Sequence, residues 1–337
     1  TFHSNGAELS LMSSLLTDSS NAPMAASHAE PLVTVSMPAF NSERYIAEAI
    51  ESVLAQTYQN FELVIFDDGS TDRTREIIDR FNDSRIVKIY SDRNQGLIAA
   101  RNNIARVARG KYLALLDADD RALPDRFAIQ VNFLEQNKVD ICGADHWTLN
   151  QDTGEIKPSK QRHDNPDIRA LLTICSPLCN PAIMGKTEIF KRFPYQGSYL
   201  HAEDYCLWTE IALAGYTFAN IKRKLIIYRL HSTQTSVNYL EAARNAFNLS
   251  QARYIKQLGI SFTNHPSSIP FVRRMKVAIG FMRQINKIIP DISIGANCEI
   301  YARFQFRGNG ILTPFTRLER LLVATYASLF GGFRPKH

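Results

Sequence analysis

Between residues 32 and 137, strand-like and helix-like segments alternate four times, and this alternation limits the fold more than any other feature. Residues 32–37 alternate, are rich in β-branched side chains, and stop at Pro38. A helix capped by Ser42 is expected to run to about Gln56, with Ile46, Ala49, Ile50 and Val53 on one face. Residues 62–66 and 86–90 read as the second and third strands, with a helix to about Phe81 between them. Residues 96–108 read as helix, 111–116 as the fourth strand, and 124–137 as helix with Pro124 near its first turn. Such alternation predicts βαβ units and an α/β fold, with a mostly parallel sheet flanked by helices. Parallel strands end at a common edge, where open α/β sheets bind their ligands.

All four strands end in polar or acidic loops. The first loop holds Pro38, Phe40, Asn41 and Glu43. Phe40 or the Pro38 backbone is placed to meet a flat base, and Asn41 and Glu43 to hydrogen-bond base or ribose. A plain strand-to-helix turn is the alternative. The loop has no glycine triplet, which argues against a dinucleotide and hydride transfer. The second loop is Asp67-Asp68-Gly69-Ser70-Thr71-Asp72. Asp68 is a candidate to accept the imide N–H of uracil, while Thr71 or Asp72 caps the next helix. The third contains Asn94, suited to a ribose, followed by Arg101, suited to a diphosphate or else a surface cation. The fourth is Asp117-Ala118-Asp119, followed by Asp120. Two carboxylates so spaced at a strand end can hold a divalent cation against a diphosphate, although Asp-rich turns are also common.

Farther on, Glu203 and Asp204 open an amphipathic stretch, as a general base aimed into a cleft or as charge favouring a helix dipole. His231 leaves a strand-like segment and is a candidate metal ligand.

Taken in order, these motifs resemble the family 2 inverting glycosyltransferases of the GT-A fold, over about residues 31–236. The resemblance implies that Asp68 reads uracil and that Asp119 is the direct ligand of Mn²⁺ or Mg²⁺. It makes Asp117 a ribose or metal-neighbouring contact, Asp204 the catalytic base beside Glu203, and His231 the group completing the metal site. The implied reaction moves a hexose or N-acetylhexosamine from a UDP-sugar to a glycan or lipid-linked glycan, in lipopolysaccharide or capsule synthesis. Transfer to a polyprenyl phosphate and a catalytically silent sugar-nucleotide-binding scaffold are the alternatives. A nucleotidyltransferase would need a Gly-rich, basic triphosphate loop.

Domain organisation follows from composition. Residues 1–30 read as a polar leader without a fold of its own. The resemblance implies a GT-A catalytic domain over residues 31–236, with a nucleotide half (31–120) and an acceptor half (121–236). Residues 237–337 form a helical basic C-terminal region. The chain carries net charge +6, but residues 235–337 alone hold 14 Lys or Arg against 4 Asp or Glu, which leaves the rest acidic. In residues 272–289 and 315–330 an apolar stripe lies beside basic side chains, which fits helices lying on an anionic membrane surface or packing on the catalytic domain. No binding module or interleaved aromatic pattern points to nucleic acid. Five cysteines without a regular framework read as reduced thiols of a cytoplasmic protein, at most peripheral on the inner face of the cell membrane.

Overall fold

The structure, a computed structural model, describes residues 31–232, 240–261 and 271–306. The leader and the 315–330 stretch lie outside the described residues. The strands are β1 (Val33–Ala39), β2 (Phe61–Asp67), β3 (Ile86–Tyr90), β4 (Tyr112–Leu115), β5 (Arg121–Ala122), β6 (Ile141–Asn150), β7 (Ile156–Ser159), β8 (Met184–Lys186) and β9 (Phe218–Leu230). The helices are α1 (Ile46–Leu54), α2 (Thr74–Arg80), α3 (Leu97–Val107), α4 (Arg126–Gln136), α5 (Asn165–Leu171), α6 (Thr187–Arg192), α7 (Glu203–Leu213), α8 (Leu240–Gln257), α9 (Phe271–Ile288) and α10 (Ile294–Phe306).

One sheet passes through both expected halves, in the order β3-β2-β1-β4-β8-β6-β9-β5, with β7 beside β6. β3, β2, β1 and β4 are parallel. β8 runs antiparallel to β4 and β6, β9 is parallel to β6, and β5 is antiparallel to β9. Ala39 pairs with Asp67, Asp67 with Tyr90, and Ser36 with Leu115. The loops after β1, β2, β3 and β4 therefore leave the sheet at one edge.

α1 buries Ile46, Ala49, Ile50 and Val53 against this sheet. Each such aliphatic side chain beyond alanine contributes roughly 1.5–3 kcal/mol. The expected Ser42 cap is corrected: α1 starts at Ile46, and the Ser42 hydroxyl turns back to donate to the Phe40 carbonyl. Asp72 does take a helix-start N–H, accepting from Thr74 at 2.9 Å. Gly69 is needed in the second loop. Its φ is +71°, and a Cβ there would stand 2.6 Å from the Arg93 carbonyl carbon.

The C-terminal helices complete the core. Tyr254 of α8 joins Trp208, Ile211 and Phe218 in one apolar cluster. α9 buries Ala278, Phe281, Met282 and Ile285 against Leu171 and against Ala296 and Ile300 of α10. Asp167 accepts both the N–H (2.7 Å) and the hydroxyl (2.5 Å) of Ser293, and Arg162 binds Glu299 and the Gly295 carbonyl, each at 2.9 Å. The apolar stripe of α9 thus faces protein, and its membrane reading gives way to packing on the catalytic domain. No helix among the described residues is long and apolar enough to cross a membrane.

Candidate active site

The first two loops clasp each other. Asn41, at φ +48°, donates its N–H to Ser70 Oγ, and its side-chain oxygen accepts the Thr71 N–H, both at 2.9 Å. The Glu43 carboxylate accepts the Arg73 N–H at 3.0 Å. Asn41 and Glu43 therefore shape this wall through protein contacts. Pro38 is buried within β1, while Phe40 is 43 % exposed at the rim.

Asp68 is buried, and its two oxygens accept the N–H groups of Gln95 (2.8 Å) and Gly96 (2.7 Å). Asn94 accepts the same Gly96 N–H at 2.8 Å. Asp68 thereby fixes the third loop at the start of α3, and each carboxylate oxygen keeps a further lone pair.

Arg101, on the buried face of α3, joins the two acidic motifs. One terminal nitrogen donates to Asp117 at 2.9 Å and the other to Glu203 at 2.8 Å. Burial raises the Asp117 carboxyl above its ordinary value, with Asp119 adding to the rise and Arg101 opposing it. Asp204 follows Glu203 in the first turn of α7 and accepts the Tyr205 N–H at 2.6 Å. Burial, then the adjacent Glu203 charge, push its carboxyl up to about 6, against the pull of Arg101. A carboxylate titrating there suits proton abstraction near neutral pH.

On the other side, Asp119 lies 2.9 Å from His231 Nε2. β9 brings His231 there, and Arg229 of the same strand locks the arrangement. Arg229 is buried and donates to the Asp119 carbonyl (2.8 Å), Gln151 (2.5 Å) and Glu48 (2.9 Å), with its guanidinium 4.6 Å from the Tyr45 ring centroid. The His231 ring is 4.9 Å from the same tyrosine. Asp120 accepts the Arg229 N–H at 2.8 Å through one oxygen, while its other oxygen is buried with no hydrogen-bond partner among the described residues. Burial, Asp119 and Asp117 push the Asp120 carboxyl well up.

The acids fit a hard divalent cation. The Asp119 carboxylate and the His231 imidazole, 2.9 Å apart, would hold it in place of the hydrogen bond they share here. The carboxylate suits Mg²⁺ and Mn²⁺ alike, while the imidazole, a softer donor, favours a transition ion such as Mn²⁺. Among the described residues no three His, Cys, Asp or Glu side chains are already gathered as a ligand set. A cation here would therefore draw its remaining ligands from water and a substrate diphosphate, as Mg²⁺ commonly does.

The structure thus brings Asp117, Arg101, Glu203 and Asp204 together, with Asp119 and His231 beside Asp117. Pro38 lies within β1, and Phe40, Asn41, Glu43, Asp68 and Asn94 belong to the adjoining loops. Sequence reasoning missed Arg229, Asp120 and Tyr45. Arg229 left a usable signal, since it stands two residues before His231 and alternate strand residues share a face.

Comparison with known proteins agrees with this architecture. The family model for "Glycosyl transferase family 2" matches residues 34–196. The Escherichia coli protein WfaP, a UDP-Glc:alpha-D-GlcNAc-diphosphoundecaprenol beta-1,3-glucosyltransferase, is 32% identical over 68% of this chain and 87% of its own length. E. coli WfgD, which bears the same activity name, is 30% identical over 61% of this chain and 79% of its own length. Among solved structures, S. aureus TarS 1-349 in complex with UDP-GlcNAc aligns over 90% of this chain and 93% of its own, with TM-score 0.55 and 15% identity. The mannosyltransferase PcManGT from Pyrobaculum calidifontis, in complex with GDP-Man and Mn²⁺, covers 97% and 95%, with TM-score 0.53 and 16% identity. The two structures share the fold, and the sequence matches go further: this chain is a glycosyltransferase and belongs to glycosyl transferase family 2.

Proposed function

We propose that the chain transfers a hexose or N-acetylhexosamine from a UDP-sugar, with inversion and with the help of a divalent cation, to a hydroxyl of a lipid-linked glycan in surface-polysaccharide synthesis. The observation that carries this reading is the Arg101 bridge, which sets Glu203, and with it the neighbouring Asp204, across from Asp117. The two E. coli relatives support it, as both are named for a UDP-Glc donor and a diphosphoundecaprenol-linked acceptor.

In this mechanism the Asp68 loop receives the uracil and the first two loops wall the base and ribose. Asp119 and His231 would hold the cation, with Arg229 and Asp120 keeping their backbone in place. When bound, the cation offsets negative charge on the departing diphosphate. Asp204 takes the proton of the acceptor hydroxyl as that oxygen attacks the anomeric carbon. Inversion needs one displacement, so no enzyme nucleophile is required. Arg101 holds Asp117 and Glu203 at fixed separation, so donor and base keep their relative position. A lipid-linked acceptor makes docking on an anionic membrane useful. That docking would rest on C-terminal charge, because the α9 apolar face is internal.

The test compares wild type with Asp204→Asn for UDP release and product formation from UDP-glucose, with a GlcNAc-diphospholipid acceptor. Turnover should fall by about 10²–10⁴ while UDP-sugar affinity stays. Near wild-type turnover in Asp204→Asn would remove this residue from the role of base.

A further inference from the structure

β9 ends at Leu230, whose ladder partner is Asn150, and His231 stands one residue beyond that last pair. The sheet fixes the chain up to Leu230 and leaves the direction of the His231 imidazole to side-chain contacts. One of these comes from Tyr45, the residue just before α1. The two ring centroids are 4.9 Å apart, with their planes tilted by 40°. Tyr45 is 7 % exposed and the His231 side chain 9 %. The same tyrosine ring carries the Arg229 guanidinium, 4.6 Å from its centroid. One ring thus meets the side chains on either side of Leu230.

Tyr45 is itself anchored. Its N–H donates to the Ser42 carbonyl at 3.0 Å, and the Ser42 N–H donates to Thr74 Oγ1 at 2.7 Å. Glu48, one turn further along α1, accepts from Arg229 at 2.9 Å. The first loop and the start of α1 therefore brace the end of β9.

An imidazole that is free to rotate loses rotamer entropy when a metal captures it, and one already packed in its ligating direction does not. The hydrogen bond between His231 and Asp119 must break when a cation enters between them, whereas the Tyr45 contact can stay. We propose that Tyr45 is a positioning residue for the cation site: its ring holds the His231 imidazole toward Asp119, 2.9 Å away. The proposal rests on the cation reading above. The Tyr45 hydroxyl has no hydrogen-bond partner among the described residues, so the ring carries the effect, through contact area and its quadrupole, and phenylalanine should replace it.

The experiment uses the full-length wild type, Tyr45→Leu, Tyr45→Phe, His231→Ala and the Tyr45→Leu/His231→Ala double variant. Mn²⁺ uptake is followed through the electron paramagnetic resonance of the aqueous ion, with UDP present and the uptake by UDP alone subtracted. Uridine, which offers the metal no diphosphate, is titrated calorimetrically as a check on the base loops. Tyr45→Leu should bind Mn²⁺ about three- to tenfold more weakly than wild type. Tyr45→Phe should stay within about twofold of wild type, because the ring is kept. Uridine affinity should be the same in all five proteins. On the His231→Ala background, Tyr45→Leu should weaken Mn²⁺ binding no further, since a residue that acts through His231 has nothing left to position. Unchanged Mn²⁺ affinity in Tyr45→Leu would overturn the proposal. So would an equal further loss on the His231→Ala background, which would place the effect elsewhere in the fold. A parallel loss of uridine affinity would assign Tyr45 to the base loop instead, and an equal loss in Tyr45→Phe would assign the effect to the hydroxyl. If wild type takes up no Mn²⁺, or His231→Ala binds it as tightly as wild type, the cation reading fails and this proposal with it. If wild type binds Mn²⁺ through His231 and only the Tyr45 variants behave otherwise than expected, the cation reading stands and this proposal alone fails.

Discussion

At the scale of single residues, Asp204 makes the sharpest claim about pH. Its carboxyl is raised to about 6, chiefly by burial and by Glu203. A base must be ionised to act, so kcat/KM should fall roughly tenfold per pH unit below about 6. The effect on stability has the opposite sign. The folded state holds this proton more tightly than the unfolded chain, so the group's contribution is full below about 4 and is lost as pH rises through about 6. Asp204→Asn should therefore be more stable than wild type at pH 8 in urea unfolding. Arg101 gives a second prediction. Arg101→Ala leaves Asp117 and Glu203 as close, uncompensated charges, at a cost of about 3–5 kcal/mol, readable as a lower urea midpoint. Asp119 and His231, to which the family resemblance assigns the metal site, stand 112 residues apart in sequence and 2.9 Å apart in space.

At the scale of elements, the parallel strands were readable because continuous apolar runs and helical spacing are local signals. β3 spans the expected residues, and β2 extends the expected strand by one residue at each end. β6 and β9 were hidden. They are the long pair of the sheet, yet of β9 only the strand-like segment before His231 was legible. The cause lies in register shifts around Ala144, Asp145 and His146, opposite the exposed Lys222 and Arg223, which break the period of two. α8 also had no legible role. It clamps α7: Phe247 stacks on Tyr205 at 4.0 Å, Ser250 meets Thr209 at 3.1 Å, and Arg253 pairs with Glu210 at 2.6 Å. Tyr205 is next to Asp204, so Phe247→Ala should cost about 1–3 kcal/mol of stability and lower kcat more than it raises KM. Parallel denaturation and steady-state kinetics check both.

At the scale of the whole molecule, the catalytic domain and the C-terminal helices share their apolar core. A chain ending near residue 236 would expose the surfaces covered by Tyr254, Ile255, Ala278 and Met282. It should be insoluble or melt well below the full chain, as a thermal melt of both would reveal. Membrane attachment, if by charge alone, should weaken steeply with salt. Full-length protein should cosediment with anionic vesicles at about 0.1 M salt and be released near 0.5 M. The central claim is that acids distant in sequence meet around a cation and a nucleotide diphosphate, with a proton acceptor opposite. A crystal structure of the full chain with Mn²⁺ and UDP tests it most directly. The account predicts anomalous manganese density between Asp119 and His231, diphosphate oxygens on the metal, and the Asp204 carboxylate facing the vacated sugar position. Manganese bound elsewhere, or Asp204 turned away from the nucleotide, would contradict it.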